Sequence, residues 1–110
     1  MARVVARGEV WLYKFKPPDK RRPVVVLTRQ EAIPFLNALI VAPVTSTVRG
    51  SPGEVVVGVV EGLKQQSAAN LDQVQTVAKD RLVRYVGRVA PARMREICRA
   101  LAIATGCDEP

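Results

Sequence analysis

The chain predicts a mainly β fold of the α+β kind, a small and partly open β-barrel with one helix packed on it at the C-terminus. Three observations carry this. Short β-branched runs, bounded by Pro, Gly and polar residues, recur at regular spacing from Gly8 to Val89. Only the segment after Pro91 sustains a helical period. The 110 residues suit one domain spanning 1–110, large enough for a single hydrophobic core, with flexible ends expected at 1–6 and 107–110.

Each element follows from local chemistry. Residues 8–15 alternate and are aromatic, which suits a half-buried strand. Pro17 and Pro18 cannot extend a ladder, so 16–21 is a loop. Residues 23–28 are apolar on both faces and read as a central strand. Residues 29–37 contain Pro34 and form a connection with a helical turn; 38–44 is the next buried strand. The polar stretch 46–53 holds Gly50, Pro52 and Gly53 and is a loop, followed by a β-branched strand over 54–60 and a turn at 62–64. Short strands are expected at 67–71 and 73–77 around Asp72, a helical turn at 79–82, and a strand at 85–89.

Pro91 pre-sets the first turn of the closing helix and Gly106 is its natural stop. Met94, Ile97, Cys98, Leu101 and Thr105 recur along one face, which makes Cys98 a reduced core thiol, while Arg93, Arg95, Glu96 and Arg99 occupy the other.

Composition narrows the function. Hydrophobic residues at 48% and charged residues at 25% are ordinary for a globular domain. Arg29, Glu31, Arg49 and Glu54 interrupt every apolar stretch long enough to suggest a membrane span, and residues 1–7 lack a signal peptide's core, so a cytoplasmic location is expected. Two cysteines without zinc spacing and no histidine leave no metal or cofactor site to expect. The net charge of +7, with twelve arginines against five lysines, points to a polyanionic partner. Lys14, Lys16, Lys20, Arg21 and Arg22 cluster with a single acid among them, Asp19.

Without histidine, phosphodiester chemistry by paired imidazoles is excluded. Arg22 at the entry of one apolar strand and Thr45 at the exit of another remain, a guanidinium and a hydroxyl on rigid supports. An arginine gives two parallel hydrogen bonds to phosphate oxygens and stays charged throughout, so it stabilises charge and is a poor base. A threonine hydroxyl donates to a nonbridging oxygen. On residues alone, Arg22 reads equally as a solvated strand entry, and Thr45 and Ser46 as turn residues.

Four landmarks stand in order: Arg7-Gly8-Glu9-Val10-Trp11, Arg22-Pro23-Val24-Val25-Val26, Ala42-Pro43-Val44-Thr45-Ser46, and Leu71-Asp72-Gln73-Val74-Gln75-Thr76 followed by Lys79. Together with the tail from Leu101 to Gly106, this ordered set resembles the MazF/PemK family of toxin endoribonucleases. The resemblance implies an SH3-like barrel of the MazF/PemK/CcdB kind, assembled as a homodimer, that cuts single-stranded RNA without metal and leaves 2′,3′-cyclic phosphate and 5′-hydroxyl ends. It also implies a cognate acidic antitoxin of the MazE kind that blocks the groove. Residue by residue, Arg22 and Thr45 match the family's catalytic arginine and threonine. Asp72 matches a catalytic or orienting aspartate, and Gln73 a groove residue.

Asn70 stands where the PemK-like branch carries an arginine, and Gln75 replaces an arginine common in the closing motif. Lys16, Lys20, Arg21, Ser46 and Arg49 are expected to bind RNA, and Arg84 and Arg88 to be solvated. Trp11, Tyr13 and Phe15 are expected mainly in packing. Two other classes stay open: a noncatalytic module of the same barrel acting like the CcdB gyrase poisons, and an RNA-binding domain without activity.

Overall fold

The computed structural model describes residues 4–18 and 20–108. Among these described residues are seven strands: β1 (Glu9–Lys14), β2 (Arg21–Val26), β3 (Ala38–Thr45), β4 (Glu54–Val57), β5 (Ser67–Asn70), β6 (Gln75–Ala78) and β7 (Leu82–Arg88). One helix, α1 (Pro91–Thr105), follows them, and four short 3-10 turns lie between strands. All pairings are antiparallel in the order β4-β5-β3-β2-β1-β7, with β6 also on β3. The sheet is strongly curved and open rather than closed, as the sequence predicts for a partly open barrel.

β3 makes the curvature. Its first half, Ala38 to Val41, pairs with β6, and its last residues, Val44 and Thr45, pair with β5. Pairing of β2 with β3 covers Val24–Val26 and stops there. Pro23 and Pro43 stand at that end; Pro has no N–H to give to a ladder, so the strands part beyond them.

Two apolar clusters lie on opposite faces of the bent sheet. One contains Val10, Val25, Ala42, Val44, Val57, Leu71 and Ile97; the other contains Trp11, Tyr13, Val24, Val26, Leu39, Val41 and Leu82. Consecutive residues of β1 and β2 thus serve different clusters, and along β1 buried Trp11 and Tyr13 alternate with part-buried Leu12 and exposed Lys14, the half-buried pattern expected. Its aromatics pack internally: Trp11 meets Tyr85 edge-on at 6.0 Å and Tyr13 meets Phe15 at 4.7 Å. Val5 is buried in the second cluster, whereas residues 1–3, 109 and 110 of the expected flexible ends, and Asp19 of the basic loop, lie outside the described residues.

Several boundaries differ from the sequence reading: the strand expected over 23–28 runs from Arg21 to Val26, and three others shift as well. The strand expected over 54–60 ends at Val57, because Gly58 turns the chain into a 3-10 turn at Val59–Glu61 that the Glu61 carboxylate caps by accepting from Gly58 N at 2.6 Å. Leu71–Gln73 is also a 3-10 turn, capped by Asn70 Oδ1, so β6 starts at Gln75. β7 begins at Leu82, directly after the turn at Lys79–Arg81.

α1 begins at Pro91 and ends at Gly106, which takes the left-handed conformation at φ 74°. Its buried face is Ile97 and Ala100, with Met94, Leu101 and Ala104 packed beside them. That stripe is rotated from the expected one. Cys98 and Thr105 are exposed rather than in the core, and Arg7 Nη2 donates to Cys98 Sγ at 3.1 Å.

Candidate RNA-cleaving site

The parting of β2 and β3 leaves two cavities that share a boundary. The larger, about 490 Å³, is lined by Arg22, Thr45, Ser46, Lys64, Gln65 and Arg84 over a floor of Leu12, Pro23, Val44 and Val86. The smaller, about 230 Å³, is lined by Arg22, Thr45, Thr47, Arg49, Glu54, Asn70 and Gln73. Arg22 and Thr45 are in both, so they stand at the junction. Each stands two residues beyond Val24↔Pro43, where the β2–β3 pairing ends.

Rigid supports hold both residues. Arg22 pairs with Tyr13 of β1, whose ring is buried. Thr45 pairs with Ala68 of β5, and its Oγ1 accepts from Thr47 N at 3.1 Å, which leaves the hydroxyl proton free to donate outward. Among the described residues, no group of three or more metal-ligating side chains is gathered anywhere in the fold.

The other sequence-derived candidates divide. Ser46 lines the larger cavity, and Arg49 and Gln73 line the smaller. Lys16, Lys20 and Arg21 are exposed on the chain leading into β2 and line neither cavity, nor does Asp72. Asp72 is exposed with its carboxylate directly over Gly53, and among the described residues no ion pair joins it to Arg22.

Lys64, Gln65, Glu54, Asn70 and Arg84 enter the site without having been singled out from sequence. Arg84, expected to be solvated, is exposed and also lines the larger cavity. The cause is a bulge in β7. Tyr13 pairs with Leu82 and its neighbour Leu12 pairs with Arg84, so Val83 is an extra residue. Leu82 therefore joins the second core cluster, while Arg84 follows Leu12 to the groove. Plain alternation would have put both on one face.

The floor is thus apolar, the larger cavity has three cationic side chains on its walls, and the smaller combines the Arg22 and Arg49 guanidinium groups with two amides and one carboxylate. An extended polyanion with flat bases fits such a surface better than a compact neutral ligand.

Comparison with known proteins agrees with that surface. Residues 6–105 match the family of PemK-like, MazF-like toxins of type II toxin–antitoxin systems. A probable endoribonuclease MazF5 of Mycobacterium tuberculosis is 46% identical over 109 residues, which cover 98% of this chain and 99% of that one. Among solved structures, the M. tuberculosis toxin MazF-mt6 superposes with a TM-score of 0.83 at 35% identity, covering 89% of this chain and 96% of its own. A mycobacterial endoribonuclease in complex with its cognate antitoxin superposes at 0.84, with 28% identity and 97% and 100% of the two chains covered.

Proposed function

From the chain's membership of the PemK-like, MazF-like toxin family, we propose that it is the toxin of a type II toxin–antitoxin system, an endoribonuclease that cuts single-stranded RNA without metal. The observation that carries this is that Arg22 and Thr45 both line two adjoining cavities just past the end of the β2–β3 pairing. A scissile phosphate at that junction leaves one flanking nucleotide in each cavity.

The nucleophile belongs to the substrate. The RNA 2′-hydroxyl loses its proton and attacks the adjacent phosphorus; the bond to the 5′-oxygen breaks, and that oxygen takes up a proton. A 2′,3′-cyclic phosphate and a 5′-hydroxyl result. Negative charge accumulates on the nonbridging oxygens in the transition state, where the Arg22 fork and the Thr45 hydroxyl donate. Arg84 and Lys64 hold the adjoining backbone, and the apolar floor excludes water beneath it. Asp72, which stands between the lining residues Asn70 and Gln73, acts through the loop it covers at Gly53 rather than on the phosphate.

The working unit in this reading is a homodimer in the cytoplasm; no helix among the described residues is long and apolar enough to cross a membrane. Its second partner is an acidic antitoxin segment that lies along the cationic groove, as the antitoxin-bound mycobacterial neighbour suggests.

Purified protein incubated with a long defined RNA in EDTA tests the assignment, with 3′-end analysis of the products. Discrete cuts ending in cyclic phosphate are expected. Activity that disappears in EDTA and returns with magnesium would overturn the mechanism, and protein that binds RNA without cutting it would leave a recognition module.

A further inference from the structure

Transfer of the 2′-proton needs an acceptor, and few groups around Arg22 and Thr45 can serve. An arginine stays protonated, and a threonine hydroxyl is a poor proton acceptor. Lys64, Arg49 and Arg84 carry positive charge, and the rest of the polar lining consists of amides and hydroxyls. Among the described residues, Glu54 is the one carboxylate that lines either cavity, and it stands in the smaller one with Arg22, Thr45 and Arg49.

Strand pairing puts Glu54 on the right face. Thr45 of β3 pairs with Ala68 of β5, and Glu54 of β4 pairs with Asn70 of β5. Ala68 and Asn70 are two residues apart, so Thr45 and Glu54 leave the sheet on the same side. The carboxylate is also held in place. Oε1 accepts from three successive backbone amides, Arg49 N at 3.0 Å, Gly50 N at 2.8 Å and Ser51 N at 3.3 Å. No hydrogen bond from the described residues reaches Oε2. One oxygen anchors the group and the other keeps its lone pairs, as a positioned base requires. Asp72, by contrast, lines neither cavity and lays its carboxylate against Gly53.

We propose that Glu54 is a further catalytic residue, the general base that takes the 2′-hydroxyl proton of the RNA on Oε2. This rests on the nuclease reading above. As the proton passes to Oε2, the 2′-oxygen forms its bond to phosphorus. The bond from phosphorus to the 5′-oxygen breaks and leaves its electron pair on that oxygen. Water protonates the 5′-oxygen, and the hydroxide so formed recovers the proton from Glu54. The Arg22 and Arg49 guanidinium groups in the same cavity offset the repulsion between phosphate and carboxylate.

Glu54→Gln separates proton transfer from support of the loop, because its amide oxygen still accepts from the three backbone N–H groups. Single-turnover cleavage should fall about 100- to 10,000-fold, the usual contribution of a positioned base. The urea midpoint should stay near wild type, and 2′-deoxy RNA should bind no more weakly. The wild-type rate should drop about tenfold per pH unit on the acid side, and Glu54→Gln should lose that limb. The other charged groups around Glu54 are Arg93, Glu96 and Arg99, which line a separate cavity with it between β4 and α1. Asp72→Asn and Glu96→Gln should therefore keep the limb. An RNA with sulfur in place of the scissile 5′-oxygen has a leaving group that needs no proton, and the Glu54→Gln defect should persist on it. A folded Glu54→Gln protein with a near-normal rate or an intact acid limb overturns the proposal, as does restored cleavage of the sulfur substrate. Wild type that binds RNA and never cuts it overturns the nuclease reading as well.

Discussion

Arg22 and Thr45 line the same two cavities, and each stands two residues beyond the last register partners of β2 and β3, Val24 and Pro43. Their neighbours toward the core, Val24 and Val44, are buried, so the strands are anchored immediately behind the pair. The two side chains therefore project from a fixed base where the β2–β3 pairing has ended, which is the geometry an electrostatic clamp requires.

Replacing Arg22 tests the clamp. Arg22→Ala should lower single-turnover cleavage about 100- to 1,000-fold, the usual cost of one charge-stabilising donor. Arg22→Lys should recover little, because a point charge does not reproduce the planar fork. Arg22 is exposed, so circular dichroism and the urea midpoint should stay near wild type. Near-normal cleavage by Arg22→Ala would remove it from the site.

Thr45 separates hydroxyl from shape. Thr45→Ser keeps the donor and should retain measurable activity. Thr45→Val keeps the branched volume at the β5 pairing but removes the donor, and also leaves Thr47 N without its partner. Most activity should be lost with a stability change below about 1 kcal/mol, since Thr47 N is exposed to water. Equal rates for the two variants would assign Thr45 a packing role.

Arg84 should act on binding. Neutralising one phosphate contact reduces the slope of log affinity against log salt by about 0.7 for a single strand. Arg84→Ala should show that change, measured with an uncleavable 2′-deoxy substrate, together with a higher KM. Arg88 is exposed on the same strand and lines neither cavity, so Arg88→Ala should leave slope and KM unaltered. Matching effects from the two would mean that net charge, not the groove, sets the salt dependence.

The wall of the larger cavity depends on a backbone contact. Gly62 has φ 93°, and a Cβ there would meet the Val86 carbonyl; a Cβ on Gly87 would meet the Glu61 carbonyl. Two glycines thus seat the turn at Val59–Glu61 on β7 and place Lys64 and Gln65. Gly62→Ala should cost about 1–3 kcal/mol from conformation alone, with more from the clash, and weaken RNA binding. Unchanged urea midpoint and binding would show that the turn yields freely.

The sequence by itself determined the strand-rich architecture, the closing helix with its Pro91 start and Gly106 stop, and the Arg22 and Thr45 candidates. Each rests on local chemistry: β-branched runs, fixed proline φ, glycine's left-handed freedom, and polar residues at the ends of apolar strands. Strand ends were less legible, because Glu61 and Asn70 make caps whose partners are three and two residues away, and β-branched Val59 and Val60 hide the break after Val57. Tertiary structure alone decided which residues meet. The end of the β2–β3 pairing brought Arg22 and Thr45 into the same two cavities, the extra residue Val83 sent Arg84 to the groove, and rotation of α1 buried Ala100 in place of Cys98. Glu54 entered the site because three loop amides converge on it, an arrangement that only the folded backbone creates. A strand's face alternates with every residue, so a single bulge reverses what periodicity predicts beyond it.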